Sequence, residues 1–397
     1  MGDVPTEAET RGPAGTPGLL RSLNDRAALA LFLDHGALTR AQVGELTGLS
    51  KPTSSKVVAR LERAGVLDVV GEFRTTRGPD AVAYGVRGDR VLGVAVDVRP
   101  QSVRSTLVDV LGTEHPVADV RLPRAASGRS PVGDVTTAIQ SACEAAGTRP
   151  DAVSSVVVGL QGAVDPRTDD LAFTGDLPGW PRRDVRARLE KALGLSVRID
   201  NDVNLAAVAE RTSGAGRGTD GFALLWLGDG LGVAVDLGGR LHRGAAGGAG
   251  EIGYLSVPRA AERLDPAARD LQDLLGGVAV ARIARAHGVR GRSFDDVLAA
   301  LAMHPRRRAV LEELVPRVAA AVVPVLAVLD PPVVVLGGPT GAAGGDDLAE
   351  LLRHHLRRTS KWTPQVAATA VASHAVLHGA RSVVAADLRH RLLGLVT

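Results

Sequence analysis

The 397-residue sequence predicts an α/β protein in two parts: a small winged helix-turn-helix module ahead of a large α/β domain. Three observations predict it. Residues 20–65 read as three short helices divided by glycine turns. From Val91 onward, apolar β-rich runs alternate with amphipathic helices. Segments 91–112 and 222–239 repeat one strand, glycine turn and strand pattern, the mark of a duplicated α/β unit. With 45% apolar residues the chain can fill two or three cores.

Residues 1–19 hold three prolines, four glycines and no apolar periodicity before Leu19, so they read as a disordered tail. In the first helix Ala28, Leu31 and Phe32 share a face, and Gly36 stops it. Thr39 with Gln42 forms a capping box for the second helix, Val43 and Leu46 supply its buried side, and Gly48 permits a sharp turn. Ser50 caps a third helix with Pro52 in its tolerated first turn and Val57, Val58, Leu61 and Ala64 inward; Gly65 ends it. Helix, tight turn and helix is the arrangement whose second helix enters the DNA major groove. Strands Val66–Glu72 and Ala81–Val86 then form a wing, and the boundary to the large domain falls near Gly88-Asp89.

The outward residues of the third helix are Lys51, Thr53, Ser54, Ser55, Lys56 and Arg60. Short hydroxyls can approach base edges, and the cations neutralise phosphates. Arg74 and Arg77 in the wing would lie beside the minor groove. Residues 20–90 carry 11 basic and 8 acidic side chains, so geometry argues for double-stranded DNA more strongly than charge does. The net charge of the whole chain is only +3.

Composition excludes several classes. No run approaches the ~18 apolar residues of a membrane span, and the N-terminus lacks the apolar core of a signal peptide, so a cytoplasmic location is expected. The single cysteine, Cys143, excludes a disulfide framework and any multi-cysteine metal site. On its expected helix it reads as a small buried apolar side chain.

In the large domain the segments Val91–Asp97, Val103–Asp109, 154–160, 196–200, Phe222–Leu227, Val233–Leu237 and Val333–Leu336 read as strands. Glycine turns such as Gly228-Asp229-Gly230-Leu231-Gly232 can cradle phosphate, and any tight hairpin uses glycine in the same way. A helix near 346–358 follows Gly337-Gly338.

The order of motifs resembles the ROK family of sugar-responsive repressors and sugar kinases. The resemblance covers about residues 20–395. It is carried by Gly159-Leu160-Gln161-Gly162-Ala163-Val164-Asp165, Leu177-Pro178-Gly179-Trp180, Asp200-Asn201-Asp202-Val203-Asn204, Ala249-Gly250-Glu251-Ile252-Gly253 and Leu336-Gly337-Gly338. It implies an actin-like (ribonuclease H-like), duplicated ATPase-type domain of two lobes over 89–397, roughly 89–203 plus the C-terminal helix, and 204–375. It also implies a homodimer or homotetramer.

Departures from the family pattern separate regulator from kinase. Where kinases of the family read Asp-x-Gly-Gly-Thr, Asp97 is followed by Val98-Arg99-Pro100, and proline has no N–H to offer a phosphate. Asp229 stands where the second loop usually has threonine, and its charge would repel phosphate. The family's cysteine-rich zinc run is missing, with Tyr254 in place of a zinc-binding histidine, so no metal and no cofactor are expected. Asp202 matches the family's catalytic base, and without phosphate loops it would only accept a hydrogen bond from a sugar hydroxyl. Gly162, Asn201, Asp202, Glu251, Tyr254 and Gln272 are the expected sugar-binding residues. Trp180 could pack on a sugar or within the fold. The expected function is a non-enzymatic transcriptional regulator, a repressor of carbohydrate uptake or catabolism genes answering to a sugar or sugar phosphate. The rival readings are an active kinase with a DNA-binding appendage and a regulator that no longer binds sugar.

Overall fold

The computed structural model describes residues 17–73, 81–173, 177–371 and 373–396. The chain separates into two compact units: Met1–Leu92 with Asp109–Thr113 and Ala385–Thr397, and Gly93–Val108 with Glu114–Val384. No helix among the described residues is long and apolar enough to cross a membrane.

The first unit begins with α1 (Pro17–His35), so residues 17–19 of the expected tail are helical; residues 1–16 lie outside the described part. Its buried face is Ala28, Leu29 and Phe32. Leu29 takes the place expected for Leu31, because the stripe facing the core runs through positions i, i+1 and i+4. A two-residue strand β1 (Leu38–Thr39) leads into α2 (Arg40–Thr47), and the Thr39–Gln42 capping box is present in both directions. Gly48 closes α2 in the left-handed region, at φ 70°. Val43 is buried, whereas Leu46 is 50% exposed, so one apolar residue anchors this short helix.

Ser50 stands at the N-cap of α3 (Lys51–Arg63), but its hydroxyl meets that of Thr53 at 2.9 Å and caps no backbone N–H. Val57, Val58 and Leu61 are buried; Ala64 is exposed, being the C-cap residue. β2 (Leu67–Phe73) and β3 (Ala81–Val86) pair antiparallel, and β1 adds to the free side of β3, giving the order β1-β3-β2. The unit is a winged helix. Arg389, in the segment 385–396, donates to Asp34 at 3.3 Å and to the Leu33 carbonyl at 3.2 Å.

The second unit holds two five-stranded sheets. The first contains β4 (Leu92–Val98), β5 (Ser102–Val108), β6 (Val117–Arg121), β7 (Val153–Leu160) and β10 (Ser196–Asn201), ordered β10-β7-β4-β5-β6. Between them lie α4 (Pro131–Ala145), a small hairpin of β8 (Ala163–Val164) and β9 (Leu171–Ala172), and α5 (Val185–Leu193). α6 (Asp202–Ser213) leads on. The second sheet contains β11 (Gly221–Leu227), β12 (Leu231–Leu237), β13 (Arg240–Leu241), β14 (Val333–Gly337) and β15 (Gln365–Ala368), ordered β13-β12-β11-β14-β15.

Each sheet is an antiparallel three-strand meander followed by two strands that pair in parallel, in the same order when counted from its own first strand. The two hairpins that looked alike in sequence open the two sheets.

Helices α7 (Leu271–Leu275), α8 (Gly277–Ala286), α9 (Phe294–Ala302), α10 (Arg307–Leu329) and α11 (Gly338–Thr359) build the larger core with β11, β12 and β14. α11 starts directly at Gly338, eight residues before the expected position, and kinks at Gly345, where φ is 53°. α12 (Ala375–Gly394) closes the chain. Cys143 is fully buried in α4, where burial pushes its thiol above the usual range.

Candidate functional site

On the winged unit the structure divides the expected DNA-facing residues. Lys51 and Lys56 are exposed and Thr53 and Ser55 half-buried. Ser54 is 0% exposed, turned against Gly44 of α2, and its hydroxyl donates to the Lys51 carbonyl at 3.2 Å. It is a packing residue. The Arg60 guanidinium reaches back to Asp25 of α1, with Nε and Nη2 donating at 2.8 and 2.5 Å, so it ties α3 to α1. Arg74 and Arg77 lie outside the described residues.

In the second unit three cavities of about 280, 340 and 260 Å³ run into one another. Gln161, Asp202, Trp226 and Asp229 line the first two. Asp97, Arg99 and Trp226 line the last two. They form one cleft, with the family-like residues at one end and the Arg99-Pro100 turn at the other.

The first cavity gathers Gly162, Asn201, Asp202, Glu251, Tyr254 and Gln272, all of the expected sugar-binding residues. Asn201 ends β10 and caps α6: its Oδ1 accepts from Asn204 N–H and its Nδ2 donates to the Gly162 carbonyl, both at 2.9 Å. Gln272 is used in the same way. Its Oε1 accepts from Leu231 N–H at 2.8 Å and its Nε2 donates to the Asp229 carbonyl at 2.7 Å. Each amide is engaged at both ends, so both help to shape the wall, and Asp202, Glu251 and the aromatic pair complete the lining. Gly250 sets Glu251 in place: at φ 89°, a Cβ there would lie 1.8 Å from the Val233 carbonyl.

Asp202 begins α6 and is 9% exposed. Burial, reinforced by the charges of Asp97 and Glu251, pushes its carboxyl up to about 7. Burial likewise raises Glu251, and raises Asp97 against the opposing pull of Arg99 and Arg104. Phe173 and Tyr254 stand at the rim with ring centroids 5.1 Å apart, and Tyr254 is 62% exposed. Phe173 carries no sequence motif; its signal is structural, a non-glycine residue held at φ 56°. Trp180 is a packing residue, its Nε1 donating to buried Asp134 at 2.8 Å.

Several amides of the two glycine-type turns are bonded within the chain. Arg99 N–H donates to the Ser102 carbonyl at 2.9 Å, Pro100 has no N–H, and the Pro100 carbonyl accepts from Arg129 at 2.5 Å. Arg129 is itself paired with Asp134 at 2.7 Å in full burial. In the second turn Gly228 N–H donates to Gly230 and Leu231 N–H to Gln272. Among the described residues no three His, Cys, Asp or Glu side chains converge on a metal position.

A winged helix joined to a domain of two like sheets, with a carboxylate-lined cleft, defines the class: an actin-like domain bearing a winged-helix module. The ROK family pattern matches residues 117–387, and the chain belongs to the ROK family. The xylose repressor of Bacillus subtilis (strain 168) is 23% identical over 239 residues, covering 60% of this chain and 61% of that one. The chain thus spans about three fifths of the length of this curated relative. A ROK family transcriptional regulator described as a homologue of the E. coli MLC protein superposes with a TM-score of 0.67 at 20% identity, covering 95% of this chain and 98% of that one. A ROK family glucokinase from Streptomyces griseus, in complex with glucose and AMPPNP, gives 0.61 at 26% identity, covering 74% and 98%.

Proposed function

We propose that this protein is a DNA-binding transcriptional regulator, a repressor of carbohydrate uptake or catabolism genes, acting in the cytoplasm as a homodimer or homotetramer. A sugar bound beside Asp202 and Glu251 would shift the population between DNA-competent and DNA-incompetent forms. The observation that carries this reading is the winged unit itself, with Lys51, Thr53, Ser55 and Lys56 presented along α3 ahead of a sugar-kinase-type domain. The xylose repressor and the MLC homologue support the same assignment. The committed amides and Pro100 support a non-enzymatic cleft.

Selection of genomic fragments by the purified protein, followed by binding titration over a range of salt, tests it. The expected outcome is enrichment of a small set of sites bound at least ~10³-fold more tightly than bulk DNA. No enrichment over competitor DNA would sink the assignment. The second reading, an active sugar kinase, draws on Asp202 in the cleft and on the likeness to the glucokinase. Sugar-dependent ADP release across common hexoses would establish it in place of the first.

A further inference from the structure

The first cavity has an unbalanced charge. Asp202, Glu251 and Asp270 line it, and among the described residues no lysine, arginine or histidine does. Elsewhere in this unit buried aspartates carry their own cation. Asp134 lies 2.7 Å from Arg129, Asp200 2.6 Å from Arg243, Asp97 3.5 Å from Arg99, and Asp236 is bonded to Arg211. Asp202 and Glu251 have no such partner. One Asp202 oxygen accepts from Val203 N–H at 2.9 Å, and the half-buried Glu251 carboxylate has no hydrogen bond or ion pair among the described residues. A carboxyl withdrawn from water either keeps its proton or is stabilised as the anion by a cation set beside it. At the rim Phe173 and Tyr254 offer ring faces, which attract cations and C–H surfaces and do nothing for an anion.

Resting on the reading of this cavity as a polyol site, we propose that its occupant brings the missing cation: an amino sugar with a free, protonated amine seated between Asp202 and Glu251. A phosphorylated sugar is disfavoured here, since its phosphate would face the Asp202 and Glu251 carboxylates. An N-acetylated sugar lacks the charge.

Calorimetry on the full-length protein tests this with hexoses carrying an amine at C2, C3 or C6, each paired with its parent hexose, its N-acetyl form and its phosphate ester. At least one amine should bind ten times or more tightly than its parent and its N-acetyl form, with the phosphate ester weaker still. A parent or N-acetyl sugar that matches every amine overturns the proposal and leaves the polyol site standing. Absence of binding by the whole panel overturns both. Glu251→Gln should lower the amine-to-parent affinity ratio at least fivefold, and Asp202→Asn provides the same reading if that variant does not fold. Equal weakening of amine and parent would mark a purely structural role and overturn the assignment of these carboxylates.

Discussion

Lys56 and Arg60, one turn apart on α3, do different work. Lys56 is exposed, while Arg60 spends its guanidinium on Asp25. Lys56→Ala is expected to weaken DNA binding across sequences and to lower the slope of log affinity against log salt by about 1, measured by anisotropy titration. Arg60→Ala should instead cost about 1.5–3 kcal/mol of stability, the worth of hydrogen bonds to a charged group, read from denaturant unfolding. Both residues look alike in sequence because each lies on the polar side of one helix. What separates them is Asp25, 35 positions away. Ser54 is the same case: it faces Gly44, and only the packing of α2 on α3 reveals that pairing. The capping box of Thr39 and Gln42 was readable because its parts lie three residues apart.

At the scale of elements, the β4–β5 turn is the best example of sequence carrying consequence. Arg99-Pro100 departs from the glycine pattern of the family's kinases, and the structure adds a hairpin whose Pro100 carbonyl is held by Arg129. That support was not legible, since Arg129, Asp134 and Trp180 come from a loop, the start of α4 and a distant motif. Arg129→Met should cost about 3–5 kcal/mol, because it leaves Asp134 buried without its cation. Adding Asp134→Asn should return part of that loss, and a denaturation cycle of the two single variants and the double measures it. Additive losses would mean that the two side chains act independently. Among the pocket residues, Asn201 and Gln272 show the limit of motif transfer. Their positions in the wall were readable, while the use of both amide ends on Gly162, Asn204, Asp229 and Leu231 depends on chain segments brought together by folding.

For the whole molecule, the buried carboxyls make stability depend on pH. The folded-state value of Asp202, about 7, exceeds the ordinary 3.8, so the folded chain holds more protons across that window. The contribution of Asp202 to stability therefore falls as pH rises from about 4 to about 7 and then levels. Asp202→Asn removes this penalty. It should raise the melting temperature at pH 8, by an amount corresponding to at most about 4 kcal/mol, and the gain should vanish near pH 4. A gain independent of pH would assign the effect to packing. The duplicated sheets were visible in the two similar hairpins, since strand and turn patterns are local, whereas the cleft was legible only through the family resemblance, because its walls come from segments far apart in the chain. Trp226 touches all three of its cavities. Of three tryptophans in the chain, it is the one common to the cleft's whole length, so an occupant at any point along it alters the water around that indole. Binding in the cleft is therefore expected to shift the emission of the unlabelled protein.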